Sequence, residues 1–161
     1  MATVEEIKVW LEDVIDPEIP VLTVMDMGVV RDVRITSDSI EVDITPTYTG
    51  CPAMDEISEN IVKRLNSEGF SKVHVKEVLT PPWTTDWLTE KGKKKLEDYG
   101  IAPPTDESAD KRALFNKQPV VRCPQCKSEN TIRVSQFGST ACKALYQCND
   151  CKEPFDYFKC L

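Results

Sequence analysis

Apolar positions first recur at helical spacing at Val4, Ile7, Leu11 and Val14, which predicts an amphipathic helix. Thr3 and Glu6 stand at the spacing of a capping box, in which each side chain satisfies an orphan amide of the first turn. Asp16-Pro17 is expected to end this helix, because the residue before a proline is pushed out of the helical region. Val29 to Ile35 reads as a strand with Val29, Val33 and Ile35 on one face. Ile40, Val42 and Ile44 then alternate with Glu41 and Asp43, the pattern of a half-buried strand. Ser37-Asp38-Ser39 is the expected turn between the two. A second apolar stripe, Met54, Ile57, Ile61 and Leu65, predicts a helix from about Ala53 to Ser67. Pro52 suits its first position, and Glu68-Gly69 closes it. Val73 to Leu79 is the third expected strand. A last helix should run from near Thr85 to Tyr99, with Gly100 as its cap.

Beyond Ala102 the pattern changes. Residues 103–118 are polar and rich in proline, and read as a linker. From residue 119 onward the chain is short of helical periodicity and carries β-favouring runs at Thr131-Ile-Arg-Val134 and Ala144-Leu-Tyr146. Charge changes at the same place. Through Asp110 there are 11 Lys+Arg against 23 Asp+Glu, a net of −12; from Lys111 there are 9 against 4, a net of +5. The expected organisation is therefore a domain over 1–102, a linker over 103–118 and a second module over 119–161. No apolar run approaches the roughly 18 residues of a membrane span. The first residues, Met1 to Glu6, lack the basic and apolar regions of an export signal. A cytoplasmic protein with no membrane partner is the expectation.

The cysteines sharpen this picture. Six of the seven fall in the last 39 residues. In a reducing compartment such a cluster reads as a metal site rather than a disulfide framework. Cys123-Pro-Gln-Cys126 and Cys148-Asn-Asp-Cys151 are two C-x-x-C pairs with 21 residues between them. Two such knuckles at hairpin tips supply four sulfurs to one tetrahedral metal, the plan of a zinc ribbon. A module of this size also needs a staple to fold. Four cysteines close the coordination shell, so the metal is expected to be structural zinc. Thiolates also suit iron, and the spacing leaves the two metals open. Cys142 and Cys160 are additional candidate ligands, or else small buried hydrophobes.

Cys51 stands alone in the first domain, between Gly50 and Pro52 at the start of a helix. Free amides and the helix dipole there are expected to lower a thiol pKa. Such a thiolate can serve as nucleophile, metal ligand or sulfur carrier. Gly50 is expected to allow close backbone approach. Asp16, Glu18 and Asp26 lie in turns that could face the same loop. His74, the only histidine, is expected to face solvent from a strand. Trp83 and Trp87 read as core or lid residues. The chain lacks the Glu-x-x-His helices of a di-iron oxygenase and any flavin or nicotinamide signature.

Four motifs, Asp16-Pro-Glu-Ile-Pro20, Met27-Gly-Val-Val30, Thr49-Gly-Cys-Pro52 and Pro81-Pro-Trp83, resemble the signature of SufT-like, MIP-type metal–sulfur cluster assembly domains. The resemblance covers roughly Thr3 to Ala102. It implies a small α/β (α+β) assembly-type fold and a link to iron–sulfur cluster maturation. It also carries functional roles onto Asp16, Glu18 and Cys51. Where that family often has paired threonines, this chain has Thr47-Tyr48. The tail adds Phe137-Gly-Ser-Thr-Ala-Cys142-Lys-Ala and Glu153-Pro-Phe-Asp-Tyr-Phe158 to the two cysteine pairs. It resembles the D-subunit family of phenylacetyl-CoA epoxidase systems.

The resemblance implies an accessory component of aerobic phenylacetate degradation that helps mature an iron–sulfur or di-iron centre. Iron or a cluster would be held transiently at Cys51. The partners implied are other epoxidase components or iron–sulfur assembly proteins, and a homo-oligomer is left open. Two other classes are weighed against this. One is a zinc-ribbon protein that binds nucleic acid, which the acidic first domain opposes by repelling phosphates. The other is a thiol-dependent enzyme acting through Cys51.

Overall fold

In the computed structural model, which describes residues 2–105 and 119–159, helix α1 spans Val4–Leu11. Its capping box is formed as expected. The Thr3 amide donates to Glu6 Oε2 at 2.8 Å, and Thr3 Oγ1 accepts from the Glu6 amide at 3.2 Å. The helix stops at Leu11, earlier than Asp16-Pro17. A competing set of backbone bonds takes over. The Val24 amide donates to Val14 O at 2.9 Å, and the Asp16 amide donates to Leu22 O at 2.8 Å. Ile15 and Thr23 form an antiparallel bridge between them. Val14 is still buried, but from a hairpin-like turn rather than from a helix.

Strands β1 (Val30–Ile35), β2 (Ile40–Ile44) and β3 (Val73–Glu77) form a sheet in the order β1-β2-β3. β1 runs antiparallel to β2, and β3 runs parallel to it. Ile40, Val42 and Ile44 are all buried, as their alternation predicts. The expected face of β1 is broken by a register shift between Val30 and Asp32. Val29 and Val33 stay buried, while Ile35 is exposed at the strand end. Helix α2, Ala53–Ser67, turns Met54, Ile57, Ile61 and Leu65 into the core. Burial of each such side chain stabilises by about 1.5–3 kcal/mol. Gly69, at φ +97°, ends the helix. Its amide donates to Asn66 O at 3.0 Å, and that of Phe70 to Leu65 O at 3.3 Å, the two bonds of a Schellman cap.

After β3 the expected long helix is split. A 3-10 turn covers Thr85–Trp87, and α3 covers Glu90–Tyr99. Leu88 breaks the run with an extended ψ of 126°, which buries its own side chain. The Thr89 amide then donates to Asp26 O at 2.9 Å. This segment is locked to the Met27-Gly28 turn. The Trp83 indole N–H donates to Met27 O at 2.7 Å, and the Arg31 guanidinium lies 3.4 Å over the Trp87 ring. Trp83 is therefore a core residue.

The chain divides into two compact units, Met1–Gly92 and Lys93–Leu161. The division falls inside α3, ten residues before the boundary expected at Ala102. The second unit holds a four-stranded sheet in the order β4-β7-β6-β5, with β4 at Ile101–Ala102, β5 at Thr131–Ser135, β6 at Lys143–Cys148 and β7 at Pro154–Phe158. β4 pairs with β7 in parallel, which ties residues 101 and 102 to this sheet. Its core gathers Val121, Ala144, Tyr146, Phe155 and Tyr157 with the buried Cys123 and Cys148. Most of the expected linker, residues 106–118, lies outside the described residues, as does Cys160. Among the described residues, no helix is long and apolar enough to cross a membrane.

Gly28 gives a direct test of the first unit. It sits at φ +66°, and an added Cβ would lie 2.4 Å from the Trp87 carbonyl oxygen. Gly28→Ala is expected to lower stability by about 2–4 kcal/mol, the sum of left-handed strain and a backbone clash. Urea unfolding followed by tryptophan fluorescence measures it.

Candidate functional site

The four sulfurs of Cys123, Cys126, Cys148 and Cys151 all lie within 4.8 Å of one another. Cys123 Sγ is 3.7 Å from Cys151 Sγ, and Cys126 Sγ is 3.5 Å from Cys148 Sγ. Sulfurs at about 2.3 Å from a tetrahedral zinc are about 3.8 Å apart, so the donor set fits a four-coordinate metal. The two knuckles repeat one backbone plan. The Cys123 amide donates to Ser128 O at 2.9 Å, and the Cys148 amide donates to Glu153 O at 3.0 Å. Lys127 and Lys152, each just after the second cysteine of its pair, have φ of 64° and 66°. That left-handed bend aims the amides of Ser128 and Glu153 at the sulfurs of Cys126 and Cys151.

Charge makes the same point. The Cys151 and Asp150 amides hold the Cys148 thiol down at about 7. Cys151 is pulled down by the Glu153 amide, yet burial and its thiol neighbours push it up to about 12. Four thiolates this close repel one another, and a cation relieves the repulsion. Once bound, a metal here would bridge the two knuckles, and the four cysteine thiolates would fill its shell. Cys142 lies outside this group. It is buried, and its sulfur is 3.0 Å from Thr140 Oγ1.

In the first unit, Cys51 precedes α2. Pro52, not the first helical residue as expected, is its N-cap and makes no side-chain capping bond. The Cys51 sulfur instead takes the Ala53 amide and the Tyr48 hydroxyl. The Cys51 amide donates to Tyr48 O at 3.2 Å, which closes the preceding turn. Gly50 is needed for its φ of +77° rather than for close approach, since nothing lies within 4 Å of where its Cβ would be.

Asp16 is buried at 5% exposure, and its Oδ1 accepts the amides of Glu18 and Ile19 at 2.8 and 2.7 Å. This carboxylate builds the Pro17–Pro20 loop. The negative charges of Glu18 and Asp16 both reach Cys51. The expected depressed thiol pKa is reversed. Burial pushes the Cys51 thiol up, the Ala53 amide and Tyr48 hydroxyl oppose the rise, and Glu18 and Asp16 add to it.

Asp26 has a different task. Its Oδ2 accepts the Thr23 amide at 3.2 Å, while its own amide donates to Thr23 Oγ1 at 3.0 Å. It builds the turn before Met27. His74 is exposed on β3, as expected. Tyr48 is the contributor that sequence reasoning left without a role; the only signal was its departure from the paired threonines.

The raised thiol predicts slow alkylation of Cys51 at neutral pH. With the ribbon thiols metal-loaded, the iodoacetamide rate at Cys51, read by peptide mass spectrometry, should reach half its maximum at a higher pH than that of an ordinary free cysteine. Glu18→Gln removes a nearby negative charge and should move that midpoint down.

The chain matches two family models: iron–sulfur cluster assembly protein over residues 4–77, and PaaD zinc beta ribbon domain over residues 107–159. A Bacillus anthracis domain, DUF59, superposes with a TM-score of 0.53 at 28% identity, covering 57% of this chain and 89% of its own. An Fe-S protein maturation auxiliary factor of Porphyromonas gingivalis is 34% identical over 98 residues, 60% of this chain and 92% of that protein. An Escherichia coli (strain K12) protein that carries the name of the 1,2-phenylacetyl-CoA epoxidase D component is 47% identical over 158 residues, 98% of this chain and 93% of that protein. An α/β assembly-type domain followed by a four-cysteine ribbon, matched over nearly its whole length, means that this chain belongs to the family of 1,2-phenylacetyl-CoA epoxidase D components.

Proposed function

We propose that this chain is an accessory maturation component of a phenylacetyl-CoA epoxidase system in aerobic phenylacetate degradation. It assists assembly of the system's iron–sulfur or di-iron centre, with iron or a cluster as cargo at Cys51. One observation carries the cargo reading: a half-buried thiol whose pKa is raised by burial and by the charges of two carboxylates. An arriving cation reverses both causes. It compensates the loss of hydration and turns the carboxylates from repulsive into attractive neighbours. The thiol proton leaves as the sulfur binds, and it returns when the cargo departs. Glu18 is the carboxylate assigned to the cargo, since its charge acts on the Cys51 thiol more strongly than that of Asp16. A single thiol suits transient holding, whereas the four sulfurs of the ribbon suit a resident zinc.

The ribbon docks the partner, either another epoxidase component or an iron–sulfur assembly protein. The cysteines that the structure describes are all unbridged, which fits a cytoplasmic setting. A thiol enzyme would need the opposite shift at Cys51.

Reconstitution tests the reading. Client epoxidase matured with Cys51→Ser is expected to hold at least about tenfold less functional metal centre and to epoxidise correspondingly slowly. Zinc in the variant should remain at one per chain. Full maturation by Cys51→Ser would sink the cargo role. Zinc lost along with Cys51 would show that the two sites are not separate.

A further inference from the structure

Around the four sulfurs, the two knuckles are joined by bonds in which no sulfur takes part. Asp150 stands between the two ligands of the second knuckle. Its Oδ2 accepts the Ser128 hydroxyl, and its Oδ1 accepts Asn130 Nδ2 at 3.0 Å. Asn149, beside it, donates from Nδ2 to Asn130 Oδ1 at 3.0 Å and from its amide to Asn130 O at 2.8 Å. Ser128 Oγ also accepts the Asn130 amide at 3.0 Å, which fixes the arm that reaches across. Ser128 and Asn130 follow the last ligand of the first knuckle. Four hydrogen bonds therefore run from one knuckle to the other, two of them to a single carboxylate.

We infer that Asp150, together with Ser128 and Asn130, is a positioning group that holds the two C-x-x-C knuckles in register independently of the metal. The ribbon then receives its metal in a preformed site and releases it slowly. When binding must also order two separate knuckles, that entropy opposes binding. A clasp closed during folding moves the cost out of the binding step. It also keeps the sulfurs together while the metal is exchanged, so a partly detached ion rebinds. The carboxylate matters because both of its oxygens accept donors from the other knuckle at once. An amide at 150 has one acceptor oxygen and no charge, so it can accept from only one side and the Ser128 hydroxyl would have to turn from donor to acceptor. The inference rests on the four-sulfur site and not on the cargo role of Cys51, so either can fail alone.

The test is zinc transfer from the full-length, zinc-loaded chain to the chelator 4-(2-pyridylazo)resorcinol. Asp150→Ala is expected to release zinc about 10–100-fold faster than the wild type, the usual scale for losing a group that orients ligands. Asp150→Asn should fall between the two. Ser128→Ala with Asn130→Ala should behave like Asp150→Ala. The control is Asp156→Ala, which removes a carboxylate of the same sheet that accepts the Ser139 hydroxyl at 3.0 Å. It should release zinc at the wild-type rate. Cobalt-loaded Asp150→Ala should keep the thiolate charge-transfer absorption of the wild type, because the four ligands are unchanged. Wild-type release from Asp150→Ala would overturn the inference, as would equal acceleration by Asp156→Ala. If Asp150→Ala does not fold, the Ser128/Asn130 double variant decides by the same two outcomes.

Discussion

Acidic groups crowded close together impose the constraint to which both units of this chain respond. In the second unit four thiols stand within 4.8 Å of one another. In the first, one thiol feels two carboxylates from the loop before it. The two answers differ. The ribbon gathers four donors of one kind at metal-bridging distances, and backbone amides from a repeated left-handed bend support the sulfurs. The first unit offers one sulfur, whose pKa is raised by burial and by the charges of Glu18 and Asp16. Four sulfurs can close a metal's coordination shell, whereas one cannot.

The sheet explains why Cys51 is where it is. β2 ends at Ile44, and β3, which runs parallel to it, ends at Glu77. The loop after β2 leads through Tyr48 to Cys51 at the mouth of α2. Functional side chains collect in such crevices at the carboxyl ends of parallel strands. The Asp16 loop reaches the same neighbourhood because α1 stops early and the chain doubles back through the Val14–Val24 and Asp16–Leu22 bonds. Had the helix continued to Asp16, that carboxylate could not accept the Glu18 and Ile19 amides.

That early stop marks the limit of sequence reading. Patterns set by neighbours in the chain were legible: the Thr3–Glu6 box, the alternation of β2, the α2 stripe and the four ribbon ligands. What depended on distant partners was not. Val14 fits a helical stripe, yet its carbonyl is claimed by Val24, ten residues on. β4 is two residues long and exists only through its pairing with β7. β7 did carry a signal, since Phe155 and Tyr157 alternate around Asp156, but proline at its start masked it. Leu88 carries no breaker residue, and the split of the last helix comes from the burial of its side chain. At Cys51 the local rule, amides at a helix start, gave the wrong sign. Burial and the charges of Glu18 and Asp16 arrive through the fold, and they outweigh it.

The raised pKa of Cys51 also bears on survival. Peroxide attacks thiolates far faster than thiols, and the first product opens the way to irreversible acids. Burial, joined by the charges of Glu18 and Asp16, therefore keeps down the fraction of Cys51 thiolate open to that attack at any given pH.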